Sequence, residues 1–230
     1  MVLYLFFDTE TTGLPKDRRI PATSKADNWP DIVSISWVMY EDTRFVRSHS
    51  YIVKPDNWTI PAESTGIHGI DYSFAERHGR NLDTVLTIFL DHAARSDVVV
   101  AHNLSFDKNV VDSAWRWRLN QTDPFLWPKL KICTAELGKD LCKFKFARGG
   151  EGYRYPKLSE LYIYLCKKNP HNPLHNSLND TLLLVSAFFA IPSLNLGPLK
   201  SSALFLDIQN GVYPYPDQGT LLLDLSEGGV

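Results

Sequence analysis

Val2-Leu3-Tyr4-Leu5-Phe6-Phe7-Asp8-Thr9-Glu10-Thr11-Thr12-Gly13-Leu14-Pro15 is the stretch on which the reading of the fold turns. Val2 to Asp8 is an apolar, aromatic run that stops at a Thr/Gly/Pro cluster, which is the pattern of a buried strand. Asp8 and Glu10 stand two residues apart at its end. A strand has period two, so both carboxylates project from one face. Two acids closing a hydrophobic strand are costly to bury unless something neutralises them. A divalent cation does so, since hard Mg²⁺ prefers oxygen ligands. The turn that follows, Thr11 to Pro15, can bring backbone N–H groups toward a ligand. A strand that simply runs out into solvent would carry the same acids, so this pair alone leaves both readings open.

Outward from that strand, Ile32 to Tyr40 and Arg44 to Val53 read as two more strands. Their short connections favour a three-strand antiparallel meander. The period then changes. Leu82, Val85, Leu86, Phe89, Leu90 and Ala93 mark one face of a helix. Val98 to Ala101 is a short buried strand, and Ser105 to Arg118 a helix with Ser105 as its cap. Lys131 to Cys133 suggests another short strand. A helix follows Pro156 as far as Cys166, and a last one runs from Leu178 to Ala190, stopped by Pro192. Three strands followed by alternating helix and strand predict an α/β fold, a mixed central sheet flanked by helices. The domain is expected over 1–191. Residues 192–230, with Gly197-Pro198 and Tyr213-Pro214-Tyr215-Pro216, read as an extension packed on the domain or bound to a partner.

The chain has 230 residues, 44% hydrophobic and 22% charged, which excludes a mainly disordered chain and a disulfide-stapled mini-protein. A net charge of −2 excludes a uniformly basic coat. The charge is uneven, however. Residues 129–168 hold ten Lys and Arg against four Asp and Glu, a net of +6. Phe144, Phe146, Tyr153 and Tyr155 are interleaved with it. That composition suits either a solvated face or a surface for a polyanion. Cys133, Cys142 and Cys166 fit no zinc spacing, and their odd number argues against a disulfide framework, so a reducing compartment (cytoplasm or nucleus) is expected. Val2 to Phe7 has no basic start and does not read as a signal peptide. Leu182 to Ile191 is too short to span a bilayer, so no membrane partner is expected.

Two further acids follow the first pair. Asp107 lies in Ala101-His102-Asn103-Leu104-Ser105-Phe106-Asp107, where a strand gives way to a helix. Its place in a first helical turn also suits the helix dipole. Asp180 lies in the apolar last helix, five residues after His175. A neutral imidazole beside bound metal can take a proton from an attacking water near neutral pH.

In order, Phe7 to Leu14, His102 to Asp107 and His175 to Asp180 resemble the three exonuclease motifs of the DEDDh 3′→5′ exonucleases. These form the DnaQ-like branch of the ribonuclease-H-like superfamily. The resemblance spans about residues 2–190. Ile67-His68-Gly69-Ile70 and Ile132-Cys133-Thr134-Ala135 echo two further family segments. The third motif departs from the family pattern. Ser177 stands where Ala is frequent, and Asn176 where a basic residue often follows the His. The His-to-Asp offset is intact, so the departure bears on fine geometry rather than activity.

The resemblance implies a ribonuclease-H-like fold in which Asp8, Glu10, Asp107 and Asp180 hold two Mg²⁺ or Mn²⁺ ions and His175 is the general base. It places Thr11, Leu14, Asn103 and Phe106 around the terminal nucleotide, with His68 at the rim. Nucleoside 5′-monophosphates would leave one at a time from a 3′ end, with DNA favoured. No residue in the sequence decides how a 2′-OH is treated. RNA trimming, proofreading and DNA repair all stay open. So does a non-catalytic nucleic-acid-binding or replication-scaffold subunit, and a polymerase or other protein could be recruited through 192–230.

Overall fold

The computed structural model describes residues 1–192. The extension expected at 192–230 lies, apart from Pro192, outside the described residues.

Five strands form one mixed sheet, in the order β3-β2-β1-β4-β5. Strands β1 (Leu3–Thr11), β2 (Ile32–Glu41) and β3 (Arg44–Ile52) make the antiparallel meander. Strands β4 (Val98–Ala101) and β5 (Leu130–Cys133) join β1 in parallel. β1, β4 and β5 therefore end on one edge of the sheet, and their last residues carry or adjoin the sequence motifs. Among the described residues seven α-helices accompany the strands: α1 (Ala62–His68), α2 (Tyr72–His78), α3 (Leu82–Arg95), α4 (Leu104–Ser113), α5 (Thr134–Cys142), α6 (Leu158–Cys166) and α7 (Ser177–Phe189).

Both faces of the sheet are covered, and the parity of β1 decides what goes where. Leu5 and Phe7 face α3 and α4, packing with Trp37, Val85, Phe89 and Val110. Phe6 faces α7, packing with Val38, Val100, Leu182, Val185 and Phe188. Nine of the ten residues of β2 are buried because that strand is interior and covered on both sides. α7 is apolar almost all round because it is itself sandwiched. Its other face, Leu183 and Ala187, packs on Leu161 and Tyr162 of α6. Each fully buried aromatic or aliphatic side chain here contributes roughly 1.5–3 kcal/mol.

Two local expectations are corrected. Ser105 does not cap α4: the cap position is Asn103, held at φ 67°, and the helix starts one residue before Ser105. The helix expected to run to Arg118 ends at Ser113 and continues as a π-helical turn, Ala114–Arg118. In that turn Trp115 and Trp117 donate their indole N–H groups to the carbonyls of Asp123 and Ala22.

Candidate active site

The site grows from the end of β1. Asp8 and Glu10 share the α7-facing side of the strand with Phe6. Their antiparallel partners on β2 are Ser36 and Ser34, which lie on the same face. A bulge follows between Glu10 and Thr11, the kind of break that ends regular pairing and re-aims the chain beside a site. Asp180, in the first turn of α7, comes down onto this face. Carboxylate oxygens of Asp8, Glu10 and Asp180 lie within 4.8 Å of one another. Asp107 is outside that trio. It approaches from α4, on the other side of the sheet, and accepts hydrogen bonds from the Thr9 N–H (3.2 Å) and the Thr9 hydroxyl (2.7 Å).

The electrostatics follow from this crowding. Burial, then the charges of Asp107, Asp180 and Glu10, hold the Asp8 carboxyl well above the usual carboxylate range. Burial, then Asp180 and Asp107, pushes Glu10 up to about 8. Burial pushes Asp107 to about 7, against the lowering effect of the Thr9 hydrogen bonds. Burial also raises Asp180, opposed by the His175 N–H. Four acids that resist ionising together form an all-oxygen donor set that a hard divalent cation would relieve. The residues thus fit the ions that the sequence resemblance implies.

His175 is exposed and takes a left-handed backbone, φ 63°, which lets its N–H donate to Asp180 Oδ2 at 2.9 Å. A non-glycine residue in that region is uncommon and clusters at functional sites. The two departures of the third motif have local explanations. The Asn176 side chain caps α7, accepting from the N–H groups of Leu178 and Asn179. The buried Ser177 hydroxyl lies 3.0 Å from that of Ser34 and 2.7 Å from that of Ser36, and Ser36 donates in turn to Ser50. Thr181 adds hydrogen bonds to the Ser36 and Ser177 carbonyls. This hydroxyl ladder fixes the start of α7, and so Asp180, opposite the two β1 acids. It escaped the sequence reading, although the signal was present. Ser34 and Ser36 alternate in Ile32-Val33-Ser34-Ile35-Ser36-Trp37, a period-two polar stripe inside an apolar strand.

The remaining residues that the sequence singled out make contacts of their own. The Thr11 hydroxyl donates to the Gly13 carbonyl at 2.8 Å, and Thr12 ties the turn to Asp31 through two hydrogen bonds. Leu14 beyond it is 68% exposed, an apolar side chain with no core role. Asn103 is exposed. Phe106 is half-buried and packs toward Trp29 with ring centroids 6.1 Å apart, so it contributes to the core. His68 ends α1, and its Nδ1 accepts from the Ile70 N–H. Burial lowers its pKa, with the nearby Thr11 backbone opposing and His175 assisting. Its Nε2 is buried at the rim, beside the Thr11 backbone.

Comparison with known proteins agrees with this fold. The RNase_T family model, described as an exonuclease, matches residues 5–188. No curated protein sequence matches. Among solved structures, E. coli exonuclease I in complex with a dA16 oligonucleotide is similar, with a TM-score of 0.62 at 16% identity, covering 84% of this chain and 41% of that one. The zinc-bound form of the E. coli exonuclease I–ssDNA complex gives 0.62 at 18% identity, covering 86% and 42%. A moderately thermophilic exonuclease I from Methylocaldum szegediense gives 0.64 at 15%, covering 87% and 42%. The chain thus spans about two-fifths of the length of these structures, and at such identities the likeness is one of fold. No helix among the described residues is long and apolar enough to cross a membrane.

Proposed function

The chain belongs to the RNase_T exonuclease family, and from that premise we propose that it is a metal-dependent 3′→5′ exonuclease that releases nucleoside 5′-monophosphates, with single-stranded or frayed DNA ends favoured. The observation that carries the reading is the convergence of Asp8, Glu10 and Asp180 within 4.8 Å, backed by Asp107. Two Mg²⁺ or Mn²⁺ ions held by these four acids would supply Lewis-acid stabilisation of the phosphoryl charge and make the attacking water more acidic.

The chain's own residues do the rest. The His175 imidazole receives the proton from the attacking water, and its exposed position leaves it free to pass that proton to solvent. The backbone hydrogen bond from His175 to Asp180 keeps base and ligand in register. Thr9 orients Asp107 with two hydrogen bonds. The turn at Thr11 to Leu14 receives the terminal nucleotide, with the Thr11 N–H toward the 3′-hydroxyl and the exposed Leu14 side chain against a base. Asn103 and Phe106 line the same pocket, and His68 places its ring at the rim beside Thr11. The DNA preference draws on the ssDNA held by the E. coli exonuclease I structures.

The test is a nuclease assay on 5′-labelled single-stranded DNA with Mg²⁺, using Asp180→Asn and His175→Ala. Asp180→Asn should abolish turnover. His175→Ala should lower it strongly while the thermal shift on adding Mg²⁺ persists. Retained turnover in Asp180→Asn contradicts the assignment.

A further inference from the structure

The basic stretch at 129–168 is not dispersed around the fold but anchored to the edge that carries the acids. β5 pairs in parallel with β4, Cys133 opposite Ala101, so α5 and the chain after it leave from the catalytic edge. His102, the residue after β4, then pins the returning chain. Its Nε2 lies 3.0 Å from the Pro156 carbonyl and its Nδ1 3.0 Å from the Thr134 hydroxyl. A carbonyl only accepts, so Nε2 carries the proton. Pro156 also packs tightly on α5, where a Cβ at Gly138 would come within 2.7 Å of its ring. Tyr155 is therefore held one residue from a fixed point beside the second motif.

What that anchor presents is unusual for a plain solvated face. Tyr155 is 55% exposed and Phe146 45%. Lys139 Nζ lies 5.4 Å from the centre of the Tyr155 ring, and Lys145 Nζ 4.6 Å from that of Tyr153. These two lysines sit over aromatic rings instead of carboxylates. Arg154 lies over the Phe144 ring but is also paired with Glu160, and so braces the segment. Exposed rings alternating with cations match the stacking faces and charges of a single strand, in which every base offers a π-face and every linkage a negative charge.

We propose that Lys139 with Tyr155 and Lys145 with Tyr153, flanked by Phe146, form a platform that holds the single-stranded nucleotides preceding the terminal one. This rests on the reading of the acidic site as one that acts on a nucleic-acid end. Tyr155 is the station nearest the site, and Lys145, Tyr153 and Phe146 extend the track.

The experiment compares two substrates of the full-length protein, a dT20 oligonucleotide and the p-nitrophenyl ester of thymidine 5′-monophosphate, which is too small to reach the platform. The variants are Lys139→Gln/Lys145→Gln and Tyr155→Ser. The platform predicts that the ratio of kcat/KM on dT20 to that on the ester falls about tenfold in Tyr155→Ser, the effect of losing one base stack, and falls more than twofold in the double lysine variant. The double lysine variant should also flatten the log KM against log salt slope by about 1.4, or about 0.7 per charge removed. A ratio within twofold of the parent with an unchanged slope overturns the proposal, as does an equal loss on both substrates. Parent protein that cleaves neither substrate would refute the catalytic reading instead. In that case dT20 binding in EDTA, followed by fluorescence anisotropy, decides the platform: Kd should weaken about tenfold in Tyr155→Ser and its salt slope should flatten by about 1.4 in the double lysine variant, and an unchanged Kd and slope overturn it. Binding that an acidic protein partner blocks, but that the variants leave intact, would also count against it.

Discussion

Replacing Glu10 with Gln should stabilise the metal-free protein at alkaline pH while abolishing its turnover. The Glu10 carboxyl titrates at about 8, well above its ordinary value of 4.5, because burial and the charges of Asp180 and Asp107 disfavour the ionised form. A carboxyl raised in this way holds its proton more tightly in the folded state than in the unfolded one. Its destabilising effect is absent below about pH 4.5, grows as pH rises toward 8, and is complete above that. At about 1.4 kcal/mol per pH unit the shift bounds the effect at about 5 kcal/mol. Relaxation and water entry into a site at the sheet edge bring this down to roughly 2 kcal/mol. Gln keeps the shape and cannot ionise, so it removes that cost. For a chain of this size roughly 2 kcal/mol is about 4–8 °C in Tm. The assay is thermal unfolding in EDTA at pH 8.5 and pH 4.5. The variant should melt higher at pH 8.5, and the gap should close at pH 4.5. Saturating Mg²⁺ at pH 8.5 should raise the parent more than the variant. A variant no more stable than the parent at pH 8.5, or one with the same gain at both pH values, would refute the reasoning.

Ser177→Ala removes the hydroxyl that joins Ser34 and Ser36, at a cost of about 1–3 kcal/mol for buried hydrogen bonds. Because that ladder seats Asp180, the Mg²⁺ concentration for half-maximal activity should rise severalfold. A lower Tm with an unchanged Mg²⁺ titration would show that the ladder supports the fold and not the site. Thr9→Val deletes the 2.7 Å hydrogen bond to Asp107 without changing the side chain's shape. Asp107 should then titrate at least about one unit above its present value of about 7. A carboxyl NMR titration of the metal-free protein reads this directly, and an unmoved midpoint contradicts it.

Most of the architecture was legible because the chain marks its two sheet faces by parity. The apolar start of β1, the alternation in β2 and the period change at Leu82 fix the mixed sheet and α3. Two places misled for physical reasons. Ser105 is a good cap by composition, but Asn103 tolerates the left-handed backbone that the β4–α4 turn demands, so the helix begins earlier. The Ala114–Arg118 segment, Trp and Arg in alternation, carries no breaker that would announce a π-helical turn. Its geometry comes with tertiary hydrogen bonds to Asp123 and Ala22 that no local pattern encodes. At the site, the sequence placed Asp8 and Glu10 on one face by period alone. That Asp180 meets them while Asp107 is tied to Thr9 depends on which face of the sheet each helix covers, and this is settled only by packing. The ladder from Ser177 to Ser34 and Ser36 spans more than 140 residues of sequence; the alternating serines mark one side of it locally, but packing alone decides which residue they meet.

The most direct test of the catalytic reading uses single-stranded DNA and RNA labelled at either the 5′ or the 3′ end, with Mg²⁺, Mn²⁺ or EDTA. 5′-labelled DNA should shorten into a ladder while the 3′ label is released at once as a mononucleotide. EDTA and Asp8→Ala should each abolish both signals, and DNA should outpace RNA. Shortening from the 5′ end, internal cuts, or no product from folded protein that still binds single strands would contradict it.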